Sequence, residues 1–307
     1  MRLFAGIVAA ATLATPQLHF PRDHYGHRAG IEWWYFTGYV HGSDGHRYSV
    51  FFTLFKRAGF VLPVSQTVNL ETGTIVEHTE QLAAGSIGPT RLQFLSQHAN
   101  LRYEALHDTW SAGVGGKNYE LVLAAHPVKP KPYVLHGGGT GVIRQGSATS
   151  RYYSATRMTM AGDFRPNGGK RVSFTGTGWF DHQWGDFTSD PSASHWDWFS
   201  CRFDDRTELM LYRFRDGHAS GTAVDPAGQG RLVTSFDAKP GKRAYRAAGR
   251  SWPLDWTLTV PGEHLTERLY AIVPDQLFRS LLLPTFWEGA VTATGTKNGV
   301  CFVEETS

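Results

Sequence analysis

The chain has 307 residues, enough for one large domain or two ordinary ones. Aromatic residues make up 13% and charged residues 19%, a hydrophobic load that excludes a disordered chain. The 30 Lys and Arg nearly balance the 27 Asp and Glu, for a net charge of +3; the arginines are scattered, with no run interleaved with aromatics, which speaks against a nucleic-acid partner.

Met1-Arg2 leads into an apolar run over residues 3–14 that ends in small residues near Ala14. The run is shorter than the ~20 residues a bilayer span needs. It reads as a cleavable export signal, so export is expected, with a cytoplasmic protein as the alternative. Residues 16–30 are polar and carry His19, His24 and His27, a lead-in loop. An aromatic strand then opens at Glu32-Trp33-Trp34-Tyr35-Phe36 and runs to Val40, and the turn Gly42-Ser43-Asp44-Gly45 closes it. Tyr48–Phe55 is apolar at successive positions, which predicts a strand covered on both faces. Shorter strands are predicted over 92–95, 101–103 and 119–124, before Pro127, Pro130 and Pro132 break the pattern. Further strands are predicted over 152–158 and 172–180. A second aromatic opening follows at His195-Trp196-Asp197-Trp198-Phe199, about one domain length after the first. Trp34 and Trp198 are taken as equivalents.

The polar stretch 186–194 is the expected junction between an N-terminal unit over 20–186 and a C-terminal unit over 187–307. Strands are predicted at 231–236, 256–260, 270–273, 287–294 and 300–304, with one short helix at 275–283. No 3.6-residue period of useful length appears, which excludes alternating βαβ units. The fold class expected is all-β: two tandem antiparallel barrel or sandwich units with few short helices. Cys201 and Cys301 fall in the first and last strands of the second unit, which are neighbours in a closed barrel. A bridge and two free buried thiols both fit that placement, and free thiols are preferred.

Two motifs invite a hydrolase reading. Ala84-Gly85-Ser86-Ile87-Gly88 resembles a nucleophile elbow, and His136-Gly137-Gly138-Gly139 resembles an oxyanion loop. Their order is reversed relative to esterases and no helix pattern follows Ser86, so turn glycines explain them better. No His-Glu-x-x-His helix and no glycine-rich phosphate fingerprint occurs, and neither a metal nor a cofactor is expected. Asp181 and His182 are neighbours on a strand and should point to opposite faces. Carboxylates set among aromatics are more suggestive: Glu32, Asp181, Asp197 and Glu288. A carboxylate in an apolar site is either paired or carries a raised pKa that makes it a proton donor near neutrality.

Five segments in order carry a family resemblance: residues 32–38, His136-Gly137, residues 152–158, Gly178-Trp179-Phe180-Asp181-His182-Gln183-Trp184-Gly185, and Trp287-Glu288-Gly289-Ala290-Val291. The chain resembles the AttH-type lipocalin-like family, which includes carotenoid 1,2-hydratase. The resemblance implies two lipocalin-like β units and a hydrophobic small-molecule partner of isoprenoid or polyene character, with work near a membrane surface compatible with it. It implies lyase chemistry of the hydratase type; related folds serve as cyclases, and a secreted lipid carrier would use the same pocket. For hydration the catalytic candidates are Asp181 as acid, Glu32 as second acid or base, and His182 holding water or a proton. Trp34, Tyr152, Tyr153, Arg157, Trp179, Trp184, Trp198 and Trp287 are expected to bind substrate. The chain departs from the family at its end, where residues 303–307 lack an aromatic finish.

Overall fold

The computed structural model describes residues 18–57, 59–116, 120–145, 148–166, 168–186, 195–279 and 283–306. The apolar run at 3–14 and most of the expected junction, 187–194, lie outside the described residues. The fold is all-β. Its described helical content is two 3₁₀ turns, Arg22–His24 and Pro261–Glu263, and no described helix is long and apolar enough to cross a membrane.

The first sheet contains β1 (Ile31–Gly42), β2 (Arg47–Arg57), β3 (Phe60–Asn69), β4 (Ile75–Glu80), β5 (Gln93–Leu95), β6 (Ala99–Glu104), β7 (Thr109–Gly115), β8 (Glu120–Pro127), β9 (Val134–Leu135), β10 (Val142–Gln145), β11 (Ala148–Arg165) and β12 (Val172–Gly185). The second contains β13 (Trp196–Phe203), β14 (Glu208–Phe214), β15 (Ala219–Val224), β16 (Gly230–Val233), β17 (Asp237–Pro240), β20 (Asp255–Val260), β21 (Leu265–Ala271), β22 (Leu277–Phe278), β23 (Phe286–Gly295) and β24 (Gly299–Thr306), while β18 (Ala244–Ala247) and β19 (Arg250–Pro253) form a separate hairpin. The strand orders are β4-β3-β2-β1-β12-β11-β8-β7-β6-β5 and β16-β15-β14-β13-β24-β23-β21-β20-β17. Both follow one antiparallel path, in which the last strand returns to pair with the first.

Pleat alternation divides the apolar residues among three cores. Trp34, Phe36, Trp110, Tyr153 and Phe180 fill the concave side of the first sheet. Phe199, Cys201, Trp256 and Trp287 fill that of the second. Trp33, Tyr35, Phe51, Tyr152 and Trp179 meet Trp198, Tyr212, Phe286 and Phe302 in a seam where the sheets lie back to back. The seam explains why Tyr48–Phe55 is apolar at successive positions: β2 is covered on both faces. It also corrects one equivalence. Trp198 faces the seam, so by face its counterparts on β1 are Trp33 and Tyr35, not Trp34.

Several strands, among them β3, β4, β7, β15 and β22, had no signature in the pattern. Pro63 interrupts β3, yet its carbonyl still accepts from Gln81 N–H at 3.2 Å and Val61 bridges Ala83 beyond it, so the proline costs the pairing on this edge only its own missing N–H. The short helix expected at 275–283 does not form over 275–279. Leu277 and Phe278 are instead buried as β22, paired with Trp287 and Phe286. Gly38 and Gly178 lie opposite each other on β1 and β12. A Cβ on either would fall 2.6 or 2.0 Å from Met160 Sδ, so this glycine pair makes the notch that Met160 fills.

Cys201 and Cys301 are directly opposed on β13 and β24 with Cα atoms 4.1 Å apart, and their sulfurs are bonded. The preferred reading of free thiols is thereby corrected: cross-strand register brings the two side chains onto the same concave face. The bridge closes a separation of 100 residues. Replacing both cysteines by Ser should lower unfolding free energy by about 2–4 kcal/mol, read by denaturant melts, and unreduced unfolded protein should take up no alkylating label.

Candidate active site at the seam between the sheets

β12 carries the motif Trp179-Phe180-Asp181-His182-Gln183-Trp184, and the pleat splits it. Trp179, Asp181 and Gln183 face the seam, whereas Phe180, His182 and Trp184 face the first core. On neighbouring β11, Tyr152 and Ser154 point to the seam and Tyr153 to the first core. The sequence-predicted residues therefore separate into two clusters on opposite faces of one sheet.

The seam cluster centres on Asp181, which is 4% exposed. Trp179 Nε1 donates to its Oδ1 at 2.7 Å, Tyr152 OH donates to Oδ2 at 2.9 Å, and the Ser154 hydroxyl donates to Oδ1. Trp198 Nε1 in turn donates to Tyr152 OH at 2.9 Å, tying the acid to the second sheet. Burial is the dominant influence on Asp181 and outweighs the three donors, raising its pKa to about 7. Two more carboxyl groups face the same seam. Glu304 accepts from Trp196 Nε1 at 3.1 Å, and burial with help from Asp181 raises its pKa to about 7. Glu288, cross-strand from Glu304, accepts from Tyr35 OH at 2.8 Å and is pushed well above the carboxylate range by burial and by Glu304. A cleft lined by Trp33, Tyr35, Phe55, Trp196, Trp198 and Tyr212 reaches Asp181 and Glu304. Its free volume is about 30 Å³, room for one or two waters. The aromatic walls are closed together in this conformation, and a larger guest requires them to part.

The second cluster hangs from the lead-in loop. Glu32 Oε1 faces His27 Nδ1 at 2.7 Å and His182 Nε2 at 3.0 Å, while Oε2 accepts from Lys56 Nζ at 2.7 Å. His27 Nε2 reaches Asp23 Oδ1 at 3.2 Å, and Tyr153 OH lies between His182 Nδ1 and His24 Nδ1 at 3.2 and 2.6 Å. Burial alone would raise Glu32, but hydrogen bonds from His182 and His27 overcome it and draw its pKa down to about 2. The ligand-type atoms of His27, Glu32 and His182 lie within 4.8 Å of one another, a spacing that a metal could bridge. The Lys56 ammonium and Asp23 already satisfy this group as a hydrogen-bonded ion cluster, and the donor set fits that role better than a metal centre.

His182 points away from Asp181, as expected of neighbours on a strand, and Glu32, which was expected to act with Asp181, stands with His182 on that other face beside Trp34, Tyr153 and Trp184. Arg157 also leaves the cleft. A bulge between Ala155 and Met158 re-aims β11, and Arg157 Nε pairs at 2.7 Å with buried Glu208, which Lys129 also contacts. Trp287 lies in the second core and donates to Pro274 O at 2.9 Å. Only Asp181, Tyr152, Trp179 and Trp198 meet. The sequence analysis missed Glu304, although a glutamate in a strand apolar on both faces carries the same signal that marked Glu32.

Fold and site together define an all-β protein of two back-to-back curled sheets with a buried, proton-holding acid between them. A profile of the AttH-like family matches residues 11–307, and the chain belongs to that family. Its fold superposes on that of a Nitrosomonas europaea protein assigned to AttH, over 97% of this chain and 99% of the other, with a TM-score of 0.84 and 24% identity. It also superposes on kievitone hydratase from Nectria haematococca, over 96% and 94% of the two chains, with a TM-score of 0.82 and 20% identity. In sequence it is 23% identical over 289 residues to kievitone hydratase of Fusarium solani subsp. phaseoli, covering 86% of this chain and 77% of that one.

Glu32 sets a pH test. Its folded pKa lies below the unfolded value of 4.5, so it contributes stability at higher pH that is lost as pH falls through about 4.5 toward about 2. Glu32→Gln should cost roughly 3 kcal/mol at neutral pH and flatten the stability profile in that acid window, measured by urea melts across pH.

Proposed function

We propose that the protein is a hydratase that adds water to an isolated carbon–carbon double bond of a hydrophobic guest, with Asp181 as the proton donor. The observation that carries this is the Asp181 carboxyl group: buried, ringed by indole and phenol groups, and raised to about 7. The distant likeness to kievitone hydratase supports hydration as the reaction. An isoprenoid or polyene-like guest is the finer reading.

Alkene hydration begins when the Asp181 O–H bond breaks and a new C–H bond forms at one alkene carbon. The other carbon becomes a cation. Trp196 and Trp198, which line the cleft, offer ring faces to it, each worth ~2 kcal/mol or more when desolvated. Water then attacks the cation and loses a proton to a carboxylate. Glu304 is suited to this, since two acids near 7 in one cleft favour one protonated and one ionised group at neutral pH. The wedge of free space between the walls is the size of that water. Pericyclic cyclisation needs no proton donor, so the raised acid favours hydration over it.

Incubation with kievitone and with open-chain isoprenoid polyenes in ¹⁸O-labelled water should give a labelled tertiary alcohol. Asp181→Asn should lower turnover by about 10²–10⁴-fold, and activity should peak near pH 7 and fall on both sides, as Glu304 is protonated below it and Asp181 ionised above it. Full turnover by the Asn variant would refute the assignment. The raised Asp181 pKa also favours folding below the unfolded value of 3.8 and is lost as pH rises through about 7. Asp181→Asn should therefore be as stable as the parent, or more so, at pH 8, in contrast to Glu32→Gln.

A further inference from the structure

Asp181 has one neighbour that hydration chemistry leaves unused. Behind Ser154, on the side away from the cleft, lies His136, whose ring is fully buried. Its Nε2 is 2.6 Å from Ser154 Oγ and its Nδ1 is 2.8 Å from Thr222 Oγ1 on β15. The ring packs on Tyr152, with centroids 4.1 Å apart. The glycine turn that follows holds it in place: Gly141 N–H donates to His136 O at 2.8 Å. Gly137 has φ +63, and a Cβ there would sit 1.9 Å from Val142 O, so only glycine serves. The motif that resembled an oxyanion loop is a mount for this imidazole.

Burial pushes the His136 pKa down to about 3, so the ring is neutral, with one N–H and one lone pair. Its two partners are hydroxyls, which donate or accept equally well. The chain Thr222–His136–Ser154–Asp181 therefore has two self-consistent directions. With Asp181 ionised, Thr222 O–H donates to Nδ1, Nε2–H donates to Ser154, and Ser154 O–H donates to Oδ1. With Asp181 protonated every bond reverses: Asp181 O–H donates to Ser154, Ser154 O–H to Nε2, and Nδ1–H to Thr222. The two arrangements differ by the one proton on Asp181 and by which ring nitrogen carries the N–H, with every heavy atom in place.

We propose that His136 is a positioning residue that acts on Asp181 through Ser154, its imidazole exchanging tautomers as the carboxyl group gains or loses its proton. Its catalytic meaning rests on the hydratase reading; the tautomer exchange does not. The groups that face Asp181 from the other packed strands are Tyr35 on β1, Tyr152 on β11, Trp198 on β13, Tyr212 on β14, Glu288 on β23 and Glu304 on β24. Glu304 titrates in the same range, so the test must isolate Asp181.

Long-range ¹H–¹⁵N correlation on ¹⁵N-His protein, with His136 assigned by its loss in His136→Gln, follows the tautomer without any substrate. Between pH 5 and 9 the N–H should pass from Nδ1 to Nε2, with a midpoint near the Asp181 pKa and no imidazolium. Asp181→Asn and Ser154→Ala should each freeze one tautomer across this range, while Glu304→Gln should preserve the exchange. A single tautomer throughout in the parent protein, or exchange that persists in Asp181→Asn, would overturn the proposal. For turnover, Ser154→Ala and His136→Gln should lower kcat tenfold or more with KM little changed, and the double variant should be no worse than either. A glutamine fills the site but cannot exchange tautomers, so full rescue by it would reduce His136 to a support. Tautomer exchange without hydration activity would leave the coupling standing and remove only the hydratase reading.

Discussion

One peptide bond joins Asp181 to His182, and the pleat of β12 sends them to opposite sides of a sheet. Because a second sheet covers the outer side, both side chains are buried, each in its own polar network. Most of the protein's unusual chemistry follows from that covering. A single curled sheet would leave Asp181, Tyr152 and Trp179 facing water, with an ordinary carboxylate among them. The back-to-back seam turns the outer face into a dry wall and raises the acid.

The two networks treat buried carboxylates in opposite ways. Glu32 is met by His27, His182 and Lys56 and stays ionised, which pins the lead-in loop across the end of the first sheet. Asp181, Glu304 and Glu288 are met only by neutral donors and by one another, so desolvation prevails and their proton affinities rise. Burying either set is costly. In the first, cations offset the cost within the fold. In the second it remains as stored proton affinity, which is what acid catalysis near neutral pH requires. The Glu208 cluster, with Arg157 and Lys129, is a third solution: it binds the bulged strand β11 to β14 in the other sheet and leaves no group free to react.

Much of the architecture was legible in the residues. Aromatic openings repeated one domain length apart, an unbroken apolar strand at 48–55 and the ordered motifs around Trp179-Phe180-Asp181-His182 give the all-β class and the covered second strand. They also put Asp181 first among the candidate acids. Legibility stopped where long-range register took over. Pro63 hid β3, because a proline argues against a strand and nothing local shows that the neighbouring chain tolerates one missing N–H. The run at 275–279 carries no local mark of its partner β23. The bulge that carries Arg157 to Glu208 is invisible without the opposing strand.

The sequence by itself determined the fold class and the family and put Asp181 first among four candidate carboxylates, because pattern and composition are local and survive without coordinates. Only the tertiary structure decided which residues share a site. A strand's period of two says that neighbours part company, but not which face meets a second sheet. Glu32 was therefore drawn to Asp181 by likeness of surroundings, while Glu304 and His136, far away along the chain, are the groups that packing and hydrogen bonding bring to it.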